Sequence, residues 1–213
     1  MVMQIILFIV IAYLIGSISP ALLVGKIFYN TDIRTMGSGN LGTTNTFRCL
    51  GKKAGVIVFV LDISKVIVFV LDISKGIIAT MLPSLVLGRV EYLSIFGAFA
   101  MIGHVYPIFA NFKGGKAVAT GSGVFIFLYP TLSLILVAIF FSTLFITGYV
   151  SLGSILICLT SIVYLSIFES GIDKWIMIVM CIFVIYMHKS NIKRLLNGTE
   201  NKSKAKIKLG AKK

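Results

Sequence analysis

A chain of 213 residues that is 58% hydrophobic, with a mean hydropathy of +1.02, carries more apolar side chain than a soluble domain of its size needs for a core. Its uncharged blocks, residues 2–25, 92–112 and 117–168, lack both the polar face of a soluble helix and the period-two alternation of a membrane barrel, which argues against both folds. The net charge of +13 gathers in two places: residues 26–53 hold five bases against Asp32, and residues 189–213 hold nine against Glu200. Short basic segments stay on the cytoplasmic side of a membrane, so the basicity follows from topology and lipid headgroups, with no nucleic acid required.

In chain order, the first helix is expected at 2–28. No basic residue precedes its apolar run and no small-residue cleavage site follows, so it reads as a retained span, not a removed signal. A bilayer helix needs about 20 apolar residues; blocks 2–25 and 92–112 each supply one span, and block 117–168 supplies two. The basic loop 30–53 then lies in the cytoplasm and the N-terminus outside. That loop contains MGSGNLGTTNTFR at 36–48. Gly37, Gly39 and Gly42 let the backbone approach a ligand, while Ser38, Asn40, Thr43, Thr44 and Asn45 add polar groups. Arg48 offers a planar fork for a phosphate.

The second helical region, 54–83, holds a duplication: VIVFVLDISK at 56–65 recurs letter for letter at 66–75. One copy alone would leave a span of membrane length; two make a helix of about 50 Å against roughly 30 Å of hydrocarbon, so it must tilt, kink or protrude. The repeat places Asp62 with Lys65 on one helical face and Asp72 with Lys75 on another, turned by about 80°. A charge at bilayer depth costs several kcal/mol unless paired, so only one copy is expected in the place the architecture was built around.

After an outer connection at 84–91 and a helix at 92–110, a second polar cluster reads GHVYPIFANFKGGKAVAT, residues 103–120. Gly114 and Gly115 lie between Lys113 and Lys116 just before an apolar helix, an arrangement suited to an anion. Ala117 follows Lys116, so this is not the phosphate loop of nucleotide hydrolases. His104 alone reads as a hydrogen-bonded structural residue; beside an anion cradle it also reads as a proton-transferring or substrate-orienting group. The apolar block 118–168 divides near Gly148, and a polar break at Glu169–Lys174 precedes a short apolar segment, 175–187. A cytoplasmic C-terminus requires two or four crossings between 117 and 188. The third cluster, HKSNIKRLLNGTE at 188–200, carries Asn191 and Glu200, the latter able to hold a basic side chain. Cys49, Cys158 and Cys181 form no metal-ligand spacing, and no paired carboxylates suggest a hydrolytic metal. Cationic and amide groups beside a lipid-facing wall suit a small phosphate ester meeting an acyl chain from the bilayer.

These three clusters resemble the motifs of the bacterial acyl-phosphate:glycerol-3-phosphate acyltransferase family, GSGNxGxTN, GHxxPxFxxFxGGKxxAT and NIxRLxxGxE, here at Gly37–Asn45, Gly103–Thr120 and Asn191–Glu200. The resemblance implies an all-α, polytopic protein of seven transmembrane helices in the plasma membrane, with four crossings after residue 117 and the motifs on the cytoplasmic side. It implies an enzyme domain over 1–200 followed by a basic tail, 201–213. The activity implied is transfer of an acyl group from acyl phosphate to the sn-1 hydroxyl of glycerol 3-phosphate, giving lysophosphatidate and phosphate. Neither metal nor other cofactor takes part, and an acyl-phosphate-producing enzyme is the functional partner. Carried over, Ser38, His104 and Lys116 are catalytic; Gly39, Asn40, Asn45, Arg48, Gly114, Gly115, Asn191 and Glu200 bind substrate or phosphate. The family's single Asp-x-x-Lys-Gly is best matched by Asp72, Lys75 and Gly76, and Ala117 stands where its second motif often has glycine. The extra decapeptide is expected to displace the first motif and impair activity. The alternative function is a transporter of organic phosphates or anions.

Overall fold

The computed structural model describes residues 2–37, 39, 41, 45, 55–88 and 90–203, with backbone alone at 28, 29 and 55–65. Among these residues every regular element is helical. The chain divides into two compact units, Met1–Leu128 and Tyr129–Lys213.

The first unit opens with α1 (Val2–Ser17) and α2 (Pro20–Tyr29), which meet at a bend of 42° where the sequence predicts one helix. The cause is local. Ser19 is extended and its hydroxyl accepts from Leu22 N at 3.4 Å, while Pro20 takes the first position of α2, where a missing N–H costs nothing. Next comes α3 (Gly55–Leu87), one unbroken helix of 33 residues with Pro83 near its end. The duplication therefore lengthens one continuous helix. Helix α4 (Ser94–Val105) packs along α1, and Phe8, Ala12, Ala79, Phe96 and Ala100 form a buried cluster where α1, α3 and α4 meet. A 3-10 turn, Ile108–Ala110, leads to α5 (Val118–Leu128), which packs on α3.

The α3–α5 contact fixes which copy of the repeat is used. A Cβ on Gly76 would fall on the carbonyl oxygen of Thr120, and one on Gly123 would fall on that of Ile73, so the two backbones touch on both sides of the crossing. Sliding α3 by ten residues would bring Val66 to the position of Gly76, with two branched methyls where no methyl fits. The second copy is thus held in register, and Asp72 and Lys75 are both buried.

In the second unit, α6 (Pro130–Thr147), α7 (Val150–Phe168) and α8 (Ile172–Met187) pack in sequence, followed after a 55° bend at His188 by α9 (Lys189–Leu196). The division at Gly148 falls where it was expected. A further break at Tyr129–Pro130 was not foreseen, although proline at a first helical position marks it in the sequence. The segment expected at 175–187 begins earlier, at Ile172. Residues Val66–Leu87 of α3, with α6 and α7, are long and apolar enough to cross a membrane, and each bent pair can supply another span. Leu134, Ile146, Val163 and Ile167 face outward, as side chains in contact with lipid would. Buried hydroxyls stay satisfied within their helices: Ser133, Thr143 and Ser161 each donate to the carbonyl four residues earlier.

Gly76→Val should lower stability by about 2 kcal/mol or more, because the crossing helices must separate to admit the side chain. Thermal unfolding in detergent reads this, and an unchanged midpoint would contradict the backbone contact.

Candidate active site

The second motif folds back on the end of α4. After Pro107 and the 3-10 turn, the chain returns so that Gly114 N donates to Val105 O and Gly115 N donates to His104 O, both at 3.0 Å. The approach is so close that a Cβ on Gly115 would fall on His104 Nε2, which explains why glycine is needed there. The imidazole is held from its other side: Nδ1 lies 3.0 Å from Thr120 Oγ1 and 3.4 Å from Asp72 Oδ1. Lys75 Nζ sits 2.8 Å from the same carboxylate oxygen and donates to Ile18 O at 3.0 Å. Ile18 lies in the break between α1 and α2, where a carbonyl escapes the helical ladder and becomes available to a cation.

These groups border one narrow crevice in the first unit, lined by Gly16, Ser17, Ile18, Ser19, Leu41, Lys75, His104, Pro107 and Gly115. Of the residues expected from the sequence, His104 and Gly115 line it and Gly114 stands directly behind. Lys116 follows the glycine turn, half-buried. Ala117 has φ of 58°, a left-handed conformation that costs a non-glycine residue about 1–2 kcal/mol, so the departure from glycine falls where glycine would be relaxed. In the first motif, Gly39 N donates to Met36 O at 3.0 Å, and Asn45, itself buried, donates from Nδ2 to the same oxygen at 3.1 Å. Nearby, Arg34 Nη2 meets Asp32 Oδ2 at 2.6 Å, and hydrogen bonds from Arg34 hold the Asp32 carboxyl down at about 2. Ser38, Asn40 and Arg48 lie outside the described residues.

Asp72, Lys75, Ser17 and Ser19 were absent from the expected site. The first two were visible as charges in an apolar helix, but their neighbours could not be read from spacing. The serines carried only the signature of a helix break.

The third motif builds its own cluster within the second unit. Glu200 Oε1 accepts from Asn191 Nδ2 at 2.7 Å and from Ser151 Oγ at 2.8 Å, and Oε2 accepts from Arg194 Nε at 2.6 Å. Asn191 and Glu200 are thus brought together, Arg194 is the basic side chain that Glu200 was expected to hold, and Ser151 is a partner the sequence did not identify. Burial pushes the Glu200 carboxyl up, but hydrogen bonds from Asn191, Arg194 and Ser151 outweigh it and leave the group below its ordinary value. Among the described residues no three His, Cys, Asp or Glu side chains gather as a metal site would require.

The family model described as Glycerol-3-phosphate acyltransferase matches residues 6–198, almost the whole of both units. The chain belongs to that family. It is 47% identical over 197 residues to glycerol-3-phosphate acyltransferase 2 of Bacillus anthracis, covering 92% of this chain and 98% of that one. It is 49% identical over 205 residues to glycerol-3-phosphate acyltransferase of Bacillus subtilis, covering 95% and 99%. A crystal structure of PlsY (YgiH), an integral membrane glycerol 3-phosphate acyltransferase in its glycerol 3-phosphate form, superposes with a TM-score of 0.81 at 32% identity, covering 92% of this chain and 94% of that one. This member of the family keeps its second and third motifs folded into ordered clusters despite the repeat in α3.

Two measurements follow from these clusters. Asp72→Asn leaves Lys75 buried without its carboxylate and should cost about 3–5 kcal/mol of stability and most of the activity, whereas Asp62→Asn should leave both within twofold of wild type. Equal effects would contradict the assigned register. Glu200 should stabilise the fold fully above its ordinary value of 4.5, and lose that contribution as pH falls through its lowered folded value. Glu200→Gln should therefore cost about 1–3 kcal/mol at neutral pH, with the gap to wild type closing in strong acid.

Proposed function

We propose that this membrane acyltransferase transfers an acyl group from acyl phosphate to the sn-1 hydroxyl of glycerol 3-phosphate. The observation that carries the reading is the crevice whose wall is the folded second motif, in a chain that matches the family over both units. The hydroxyl oxygen attacks the acyl carbonyl carbon, the bond from that carbon to the phosphate oxygen breaks, and the released phosphate takes the proton. A phosphate group of the substrates assists the deprotonation, so no carboxylate base is required, which suits a chain with only 7 acidic residues. The products are lysophosphatidate and inorganic phosphate.

In this reading Ser38, His104 and Lys116 are the catalytic groups. The imidazole is already restrained by Asp72, Thr120 and the Gly115 backbone, so it orients a reacting group without reorganising, and Lys116 supplies positive charge where negative charge develops on the carbonyl oxygen. Gly39, Asn40, Asn45, Arg48, Gly114 and Gly115 bind the phosphates, and Asn191 and Glu200 contribute from the third motif. No metal and no other cofactor enters. The apolar exterior of the helices admits the acyl chain from the bilayer. Seven crossings with the N-terminus outside put the three motifs and the basic tail in the cytoplasm of a bacterial cell, within reach of a soluble acceptor and of an enzyme that produces acyl phosphate.

Purified protein in detergent, given glycerol 3-phosphate and palmitoyl phosphate, should form lysophosphatidate and phosphate in equal amounts. His104→Ala or Lys116→Ala should reduce the rate at least tenfold. Broken helices are also a feature of secondary transporters, and two helix pairs here are bent; uptake of glycerol 3-phosphate into liposomes with no acylated product would overturn the enzyme reading in favour of transport.

A further inference from the structure

Lys75 and Asp72 stand outside the three motifs that define the reading above, yet Lys75 lines the crevice and Asp72 lies buried against it. A lysine ammonium has three donors. One faces Asp72 Oδ1 at 2.8 Å and one is given to Ile18 O at 3.0 Å; the third has no acceptor among the described residues. The ammonium is buried, with a side-chain exposure of 7% against 1% for Asp72, and the lysine lines the narrow crevice together with Ser17, Ser19, His104 and Gly115. The Ser17 hydroxyl is given to Tyr13 O and the Gly115 amide to His104 O, so within this wall the lysine's remaining N–H and the Ser19 hydroxyl are the groups an anion can meet, and the carboxylate behind fixes the lysine's position. Stability alone does not account for the pair, because two apolar side chains of similar volume would serve at least as well in such surroundings.

We propose that Lys75 binds the phosphate group of a substrate in this crevice, with Asp72 as its positioning residue. The inference rests on the acyltransferase reading for the substrate's identity but not for the binding itself. Both substrates carry a phosphate, so the chemistry recognised is a phosphate ester or acyl-phosphate group, and the experiment separates the two sources. The net charge of the pair is zero, so the attraction is short-ranged and directional, through the remaining N–H of Lys75 and the Ser19 hydroxyl beside it, and not through a broad positive field.

The decisive variant removes both charges together. Asp72→Asn/Lys75→Met leaves no uncompensated buried charge, so its thermal midpoint in detergent should stay near that of wild type. Its Kd for glycerol 3-phosphate and for inorganic phosphate, measured by equilibrium dialysis on the full chain, should nevertheless rise at least tenfold. In the acyl-transfer assay the same variant should raise one KM far more than it lowers kcat. A rise in the KM for glycerol 3-phosphate assigns Lys75 to the acceptor, and a rise in that for palmitoyl phosphate assigns it to the donor. A folded variant with both Kd values and both KM values within twofold of wild type would overturn the proposal, leaving a purely structural pair. Should this variant fail to fold, Asp72→Asn/Lys75→Gln keeps hydrogen-bonding groups at both places and is read the same way; failure of both neutral pairs to fold would equally assign the residues to the fold and not to the ligand. If wild type binds glycerol 3-phosphate and yields no acylated product, the function proposed above fails while the Lys75 site stands or falls on the binding comparison.

Discussion

A carboxylate and an ammonium placed within an apolar helix have to be neutralised where they lie, because neither lipid nor packed side chain can solvate them. In this chain Asp72 and Lys75 answer one another three residues apart on α3, and each then draws in a second element: Asp72 the imidazole at the end of α4, Lys75 the carbonyl left open between α1 and α2. The bend at Ser19–Pro20, the end of α4 and the glycine return at Gly114–Gly115 all close on this pair. The position of the crevice follows from where one salt bridge finds its remaining partners.

The pair can hold that place only while α3 keeps its register, and the register is a matter of volume. Gly76 and Gly123 allow the backbones of α3 and α5 to touch, and Val66, which follows the first decapeptide as Gly76 follows the second, could not take the place of Gly76 without parting them. An identical ten-residue copy thus carries the same charges but lacks the following glycine. This is how a chain with two equal candidates commits to one of them. The surplus residues extend α3 toward its N-terminus, and the second and third motifs retain their internal hydrogen bonds. The expectation that the repeat impairs the enzyme concerns the first motif, of which Ser38, Asn40 and Arg48 lie outside the described residues.

The third motif uses a different device. Glu200 is a single acceptor shared by an amide, a hydroxyl and a guanidinium from three places in the second unit, and the concentration of donors keeps it ionised. The first unit by contrast concentrates donors around Lys75 and His104 with one carboxylate among them. Both units therefore order polar residues around an acid, and in the first the partners of that acid, Lys75 and His104, line a crevice.

Much was legible from the sequence because lipid solvation imposes a coarse rule: long uncharged blocks must be helices, basic loops mark a side, and glycine with cations between spans signals phosphate chemistry. That rule gave the all-helical membrane architecture, the division at Gly148 and the motifs that place the chain in its family. It missed the breaks at Ser19–Pro20 and Tyr129–Pro130, where hydrophobicity runs on unbroken and only a capping residue or a proline marks the change. It missed the partnership of Lys75 with Ile18 and of Asp72 with His104, since residues separated by 57 and 32 positions meet only after α1, α3 and α4 have packed. Composition and local pattern determined the solvent, the elements and the chemical class. The family's Asp-x-x-Lys-Gly pattern points to the second copy of VIVFVLDISK; tertiary packing alone supplied the reason, because periodicity is the same for both copies and steric fit at Gly76 is not.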